Sequence, residues 1–237
     1  MMRRWNTGIV LLWLFAGVLS LGQFSALANT QTPEDVVREA TSKLQAAVDE
    51  GKTYYDQDPE RFYRAVESVL SPFVDFDAIS RSVMAVYYRK ATAEQRKRFA
   101  DTFKWGLVRT YSGALIDSGN EGIVVLDPDK PPRNPKRQSV KMEITTADGK
   151  VYPVIYSMVQ GKDGSWKMRN IIINGVNIGL TYRNQFASAM RDPENGGDLD
   201  KVIDGWADVI AEVKPVGDTA GEKEARIVLE EPDTQNA

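Results

Sequence analysis

The stretch from Trp166 to Met190, WKMRNIIINGVNIGLTYRNQFASAM, changes its apolar repeat from strand-like to helix-like within a few residues. Trp166 to Ile173 is rich in β-branched and aromatic side chains and reads as a strand. Asn174-Gly175 ends it, because both residues tolerate positive φ. A short apolar piece, Val176 to Ile178, follows, and Gly179 permits a second change of direction. From Leu180 the spacing is helical: Tyr182, Phe186 and Met190 fall at i, i+4 and i+8, with Ala189 beside them. A strand that runs so directly into an amphipathic helix puts sheet and helix in one core, so the expected class is α+β. On pattern alone the stretch is either the floor and wall of an apolar chamber or ordinary core.

The rest of the chain supplies the other layers. Thr32-Pro33-Glu34-Asp35 is a helix start, with Thr as N-cap, Pro at the first position and acids in the first turn. Val36, Val37, Ala40, Leu44, Ala47 and Val48 form its stripe, which ends near Gly51. Asp58-Pro59 starts a second helix with Phe62, Val66, Val69 and Leu70 on one face, stopped by Ser71-Pro72. Asp75 caps a third, in which Ile79, Val83, Val86 and Tyr87 line up. Thr92-Ala-Glu-Gln95 is a capping box. It opens the longest helix, near Ala93 to Ser118, striped by Phe99, Phe103, Leu107, Tyr111 and Leu115. Gly106 and Gly113 inside it cost about 1 kcal/mol each against Ala, so each is expected to serve a close approach or a bend beside the chamber.

After Ser118-Gly119-Asn120 the period becomes two. Ile123 to Leu126 is a short strand, and Asp127 to Pro135 a Pro-rich loop. Val140, Met142 and Ile144 alternate with polar residues. Asp148-Gly149 turns the chain into a strand from Val151 to Gln160, and Asp163-Gly164 turns it into the strand beginning at Trp166. The expectation is an antiparallel sheet of about four strands. Asp198 caps a last helix with Leu199, Val202, Ile203, Trp206, Val209, Ile210 and Val213 on its apolar face.

Arg3 and Arg4, the apolar run Ile9 to Leu19, and Ala26-Leu27-Ala28 together read as a signal peptide of residues 1–28, leaving a mature start at Asn29. The run is too short for a spanning helix. No Cys stands at the cut, so this is not a lipoprotein signal. Residues 29–213 form one domain, and residues 214–237, polar with few apolar side chains, read as a disordered tail. Removing Arg3 and Arg4 with the signal moves the formal charge from −3 to −5. That balance argues against nucleic acid as a partner and against electrostatic docking on an anionic membrane.

The sequence contains neither Cys nor His. The fold therefore rests on its core without disulfides. Ser-His-Asp and Cys-His catalysis is excluded, as are zinc sites built on those ligands. Asp75 and Asp77 are close carboxylates of the kind a glycosidase pairs, but at i and i+2 they point apart, and capping explains them better. Lys130, Arg133, Lys136 and Arg137 around the Pro-rich loop read either as a phosphate grip or as a solvated loop. Asp127-Pro-Asp129 lacks the rest of a calcium loop. No catalytic or metal-ligating residue is assigned, and the chain is not expected to be an enzyme. What remains is a surplus of aromatic and Met side chains, fit for a solid core or for a hollow that takes an apolar ligand.

Two segments, Val74 to Tyr111 and Trp166 to Met190, resemble the MlaC family, also called the toluene-tolerance auxiliary component family. The pieces that carry the resemblance are Phe76-Asp-Ala-Ile-Ser-Arg81, Thr92-Ala-Glu-Gln-Arg96, Trp166, Gly175-Val-Asn-Ile178 and Tyr182-Arg-Asn-Gln-Phe186. Agreement in order and spacing runs from about Pro33 to Val213. The resemblance implies a twisted antiparallel sheet wrapped by helices around a deep apolar pocket, with acyl chains buried and the headgroup in solvent. It implies a monomeric periplasmic phospholipid carrier. Such a carrier shuttles lipid between an outer-membrane lipoprotein–porin complex and an inner-membrane ABC transporter with MCE domains. Outer-membrane lipid asymmetry and solvent tolerance follow from that traffic. No cofactor is implied, since the phospholipid is cargo. The side chains expected to line the pocket are Phe103, Leu107 and Tyr111 on the long helix; Met142, Ile144, Val154, Tyr156 and Met158 on the sheet; and Met168, Ile172, Ile178, Tyr182 and Phe186 in the central stretch. The competing reading is an exported, non-enzymatic adaptor with a solid core that binds a protein partner without lipid.

Overall fold

A computed structural model describes residues 31–117, 120–146 and 149–212. The expected signal peptide with its cleavage site, the expected start at Asn29, the Ser118-Gly119 turn, Asp148, Val213 and the expected tail lie outside the described residues. The helices begin where their caps predict. Thr32 and Asp35 form a capping box for α1 (Pro33–Gly51), and Asp58 caps α2 (Pro59–Leu70) through Arg61 N–H. Asp75 caps α3 (Phe76–Met84) through Ala78 N–H, and a 3-10 turn (Ala85–Arg89) follows. Thr92 and Gln95 exchange bonds of 3.1 and 2.9 Å at the start of α4 (Ala93–Asp117).

The sheet has five antiparallel strands in sequence order: β1 (Asn120–Val125), β2 (Arg137–Thr146), β3 (Val151–Gln160), β4 (Trp166–Ile173) and β5 (Val176–Asn177). The fifth strand is the short apolar piece after Asn174-Gly175. Those two residues sit at φ 49° and 84°, and Ile173 pairs with Val176, so they make a two-residue hairpin of the type that demands positive φ twice. Then α5 (Ile178–Arg191) starts at once, capped by Asn177. The expected last helix is two, α6 (Leu199–Asp204) and α7 (Trp206–Glu212), because Gly205 interrupts it.

One irregularity in the sheet decides which side chains face inward. Ser157 pairs with Asn170, but Met158 pairs with Met168, so Arg169 is an extra residue bulged out of β4. Here the chain between α2 and α3 joins the sheet: Met168 N–H donates to Phe73 O (2.8 Å) and Asp75 N–H donates to Met168 O (2.9 Å). Arg169 Nε and a terminal nitrogen both reach Asp75 Oδ2, at 2.9 and 2.8 Å.

The core is divided. An aromatic cluster of Phe99, Phe103, Tyr182, Phe186 and Trp206 joins α4 and α5 to α6 and α7. Val36 and Val37 of α1 press on Val140, Met142, Val154 and Met158 of the sheet. Phe62, Val66 and Val108 join α2 to α4, with Leu44 and Val48 of α1 beside them.

The glycines of α4 serve close approach, although Gly106 faces α7 and not the hollow described below. A Cβ there would lie 2.5 Å from Ile210 Cδ1. At Gly113 the neighbour is the Tyr55 hydroxyl, at 3.3 Å. Gly106→Ala gains about 1 kcal/mol of helix propensity. It also crowds a fully buried Ile210, which costs about 1–3 kcal/mol. The single variant should therefore lose stability, and Ile210→Val, which deletes Cδ1, should relieve it. In urea melts the double variant should exceed the additive expectation by about 1 kcal/mol. Strict additivity would mean that the Ile210 contact is not what excludes a side chain at Gly106.

Glu67 of α2 accepts from Lys104 Nζ of α4 and from Ser71 Oγ, both at 2.8 Å, with both charged side chains about a fifth exposed (21% and 22%). The Lys104 bond holds the Glu67 carboxyl below its usual value, against the opposing effect of burial, and Ser71 adds to it. A depressed carboxyl contributes stability above its unfolded pKa and loses it as pH falls through the folded one. Glu67→Gln should thus cost about 1 kcal/mol at neutral pH. The gap from the parent should close as pH drops below about 4, measured by denaturant melts across pH.

Candidate functional site

Between the three packed regions lies a hollow of about 340 Å³. Its roof is the inner face of α4: Phe103, Leu107, Val108, Tyr111, Ser112 and Leu115. Residues four apart advance slightly more than one turn, so the stripe winds around the helix. Phe99 therefore faces α5 and α7, while the later members face the hollow. Val66 and Leu70 of α2, then Val74, Phe76 and Ile79 leading into α3, form one side. Ile178, Gly179 and Tyr182 of α5 form the other. The floor is Tyr156 of β3 with Met168, Asn170, Ile171 and Ile173 of β4. A smaller hollow of about 80 Å³ lies under α1 and shares Leu70, Val74, Tyr156 and Met168 with the first.

Protein interiors are normally close-packed, and this volume falls within the range of about 300–1,000 Å³ typical of ligand pockets. The lining is apolar apart from Asn170, Ser112 and three tyrosine hydroxyls. Asn170 is pinned, since its Oδ1 accepts from Gly179 N–H (3.1 Å) and its Nδ2 donates to Asn177 Oδ1 (3.0 Å). Tyr111 and Tyr182 hydroxyls are 2.9 Å apart, either one donating. Burial raises both, with the mutual bond lowering Tyr111 and its proximity raising Tyr182 further, so both stay neutral. Burial pushes the Tyr156 hydroxyl up to about 12. Tyr156 nonetheless keeps accessible surface; that surface faces the hollows and not bulk water. No group here is poised to ionise near neutrality, which leaves apolar binding as the work the space can do.

Seven of the expected side chains line the larger hollow: Phe103, Leu107, Tyr111, Tyr156, Met168, Ile178 and Tyr182. Six do not. Met142 and Val154 are cross-strand partners buried against α1, and Ile144 packs on the same cluster. Met158, buried beside them, reaches only the smaller hollow. Ile172 is displaced by the bulge: a regular strand would put Met168 and Ile172 on one face, but the extra residue at Arg169 brings Ile171 and Ile173 inward. Phe186 lies one turn beyond Tyr182 and is locked in the solid aromatic cluster, 5.0 Å from Phe99 and 5.1 Å from Trp206. The sequence reading missed the α2 and α3 walls, although the stripes Val66–Leu70 and Phe76–Ile79 were there to mark them.

The other candidate chemistry is accounted for. Asp75 caps α3 and holds Arg169. Asp127 pairs with Arg38 and Asp129 with Lys141. Lys130, Arg133, Lys136 and Arg137 are exposed, and none lines either hollow. Among the described residues no group of acids is arranged to hold a metal ion, and no helix is long and apolar enough to cross a membrane.

Comparison with known proteins gives concordant results. Residues 38–208 match the family model described as MlaC protein. The chain is 47% identical to the toluene tolerance protein ttg2D of Pseudomonas putida over 194 residues, covering 81% of this chain and 88% of that one. It is 27% identical over 157 residues to the intermembrane phospholipid transport system binding protein MlaC of Haemophilus influenzae, covering 65% and 72% of the two chains. Among solved structures, a phospholipid-binding protein from Ralstonia solanacearum, in complex with a phospholipid, shares the fold. Its TM-score is 0.67 at 22% identity, over 77% of this chain and 98% of that one.

The hollow contains one group at odds with its surroundings. The Ser112 hydroxyl is buried, with the residue 1% exposed, and has no hydrogen-bond partner among the described residues. An unsatisfied buried hydroxyl costs about 1–3 kcal/mol. Ser112→Ala should therefore raise the stability of protein stripped of any hydrophobic occupant by about 1 kcal/mol, read from urea melts. A loss of that size would show that the hydroxyl has a partner in solution.

Proposed function

The chain belongs to the MlaC family, and we propose that it is a non-enzymatic phospholipid carrier of the periplasm. Acyl chains occupy the hollow between α2, α3, α4, α5 and the sheet. The observation that supports this most directly is the hollow itself: an apolar space whose lining holds no group poised to ionise near neutrality. The relatives add support, since two bear names or a bound ligand that specify phospholipid. Burying an acyl chain is worth roughly 0.8 kcal/mol per methylene, so two long chains gain on the order of 20 kcal/mol, near the limit of non-covalent affinity. A lipid so held by water's rejection does not cross an aqueous space alone at useful rates. A carrier needs to match the apolar environment, and a partner must then compete for the chains or open the hollow.

In this reading the protein is exported by residues 1–28 and works as a monomer. It exchanges lipid with an outer-membrane lipoprotein–porin complex and with an inner-membrane MCE-domain ABC transporter. The traffic maintains outer-membrane lipid asymmetry, and with it solvent tolerance. Those partners come with the family reading. Phospholipid is cargo, and no cofactor takes part.

Protein purified gently from a native envelope fraction should yield phospholipid on solvent extraction and mass spectrometry. Its absence would favour the adaptor reading. Leu107→Trp fills the hollow and should lose most of that lipid while staying folded in a thermal melt. Val154→Trp should instead overpack the sheet–α1 core and lower stability by about 1–3 kcal/mol. Neutralising Lys130, Arg133, Lys136 and Arg137 together should leave the lipid in place, because exposed charges are worth about 0–1 kcal/mol each. Lipid lost from the charge variant and kept by Leu107→Trp would overturn the assignment of the hollow.

A further inference from the structure

Beside the hollow, on the far side of Ile79, Asn170 and Gly179, lies a polar recess of about 240 Å³. These three residues border both spaces. The recess adds Ser82 of α3, Arg169 at the bulge, and Asn177, Leu180 and Arg183 at the start of α5. Its charged side chains are two arginines, and no acid lines it. Arg183 is exposed and forms no ion pair among the described residues. Within Tyr182-Arg-Asn-Gln-Phe186 the first and last residues are committed to the core, so Arg183 is a member that packing leaves without a task. Arg169 is held differently. The bulge turns it out of the strand ladder, and Asp75 engages two of the five N–H donors that a guanidinium carries. That clamp fixes the group's position and leaves donors for a second anion.

We propose that this recess binds the phosphodiester of the lipid whose chains fill the hollow, with Arg183 as the principal contact and Arg169 as a positioned second donor. The proposal rests on the carrier reading and adds to it. A guanidinium meets a phosphate through paired N–H bonds, stronger than neutral ones. The recess shares Ile79, Asn170 and Gly179 with the wall of the hollow, so the polar end of a lipid whose chains fill the hollow is within reach of its two arginines. Leu180, an exposed apolar side chain (42%) in the recess wall, suits the glycerol between phosphate and chains. The site recognises the group that all phospholipids share. It leaves the headgroup alcohol in water, so it distinguishes phospholipid from neutral diacylglycerol without choosing among headgroups.

The test loads delipidated protein from phosphatidylcholine vesicles that also carry diacylglycerol with the same chains. The protein is then re-isolated and both lipids are quantified by mass spectrometry. Since both come from one vesicle, any effect on docking cancels in their ratio. The parent protein should favour phosphatidylcholine, relative to vesicle composition, by about tenfold or more, the weight of one charge-assisted contact. Arg183→Gln should bring that preference down by about tenfold with total loading little changed, and Arg183→Lys should restore part of it. Arg183 is exposed, so folding is not at risk, and a thermal melt verifies this. A parent that takes both lipids alike, or an Arg183→Gln variant with the preference intact, would overturn the recess while leaving the carrier. A folded parent that loads neither lipid would overturn both. Inorganic phosphate, titrated by calorimetry into delipidated protein, should show no saturable binding at millimolar concentration. Tight binding of it would mark a free-phosphate site and overturn the lipid assignment.

Discussion

Two backbone hydrogen bonds at Met168 hold the helical layer to the sheet. Phe73 O accepts from Met168 N–H, and Met168 O accepts from Asp75 N–H. Strand β4 can offer these groups because β5 pairs only with Ile172 and Ile173 and leaves the edge at Met168 open, where Val74 bridges to it. The bulge beside this contact does two things. It turns a guanidinium toward Asp75, and it reverses which isoleucines look inward. At the other end of β4, the turn at Asn174-Gly175 and the two residues of β5 deliver α5 with no slack. Helices α3 and α5 are therefore both fixed to one strand, and they pack on each other in the aromatic cluster.

The hollow persists because the groups that would fill it are committed elsewhere. The largest aromatics pack on one another beside α6 and α7, and the methionines and valines of β2 and β3 are pressed under α1. These two solid regions act as props on either side of an unfilled middle. What faces the middle is mostly aliphatic and of moderate size, such as Leu70, Leu107, Ile171 and Ile173. Each is only partly buried.

The helix caps, the turn at Asn174-Gly175, the meander of the middle strands and the α+β class were legible in the sequence, because each depends on residues within a few positions of one another; that the turn closes a hairpin onto a fifth strand of two residues, where about four strands were expected, was not. The stripe on α4 was legible as apolar, but which members face a solid core and which face a hollow depends on how that stripe winds relative to α5 and α7. Unbroken alternation would turn Ile172 inward, and nothing local in WKMRNIII announces a bulge at Arg169. Phe186 and Tyr182 look alike in the sequence, one turn apart, and only the position of Trp206 separates wall from core. The break at Gly205 has a local signal, a glycine inside the predicted helix. The hollow as such is a difference between volumes that no local pattern records.

The uncovered apolar surface around the hollow has a consequence for folding. A chain without a single disulfide relies chiefly on burial to hold it, and here part of the possible burial is left undone. An apolar molecule that enters the folded hollow and has no affinity for the unfolded chain completes it, and by mass action shifts the folding equilibrium by RT ln(1 + [L]/Kd). Occupancy and foldedness are then two readings of one equilibrium. Whatever empties the hollow also spends the stability that its occupant had supplied, so the emptied form is the one most exposed to proteolysis until it is filled again.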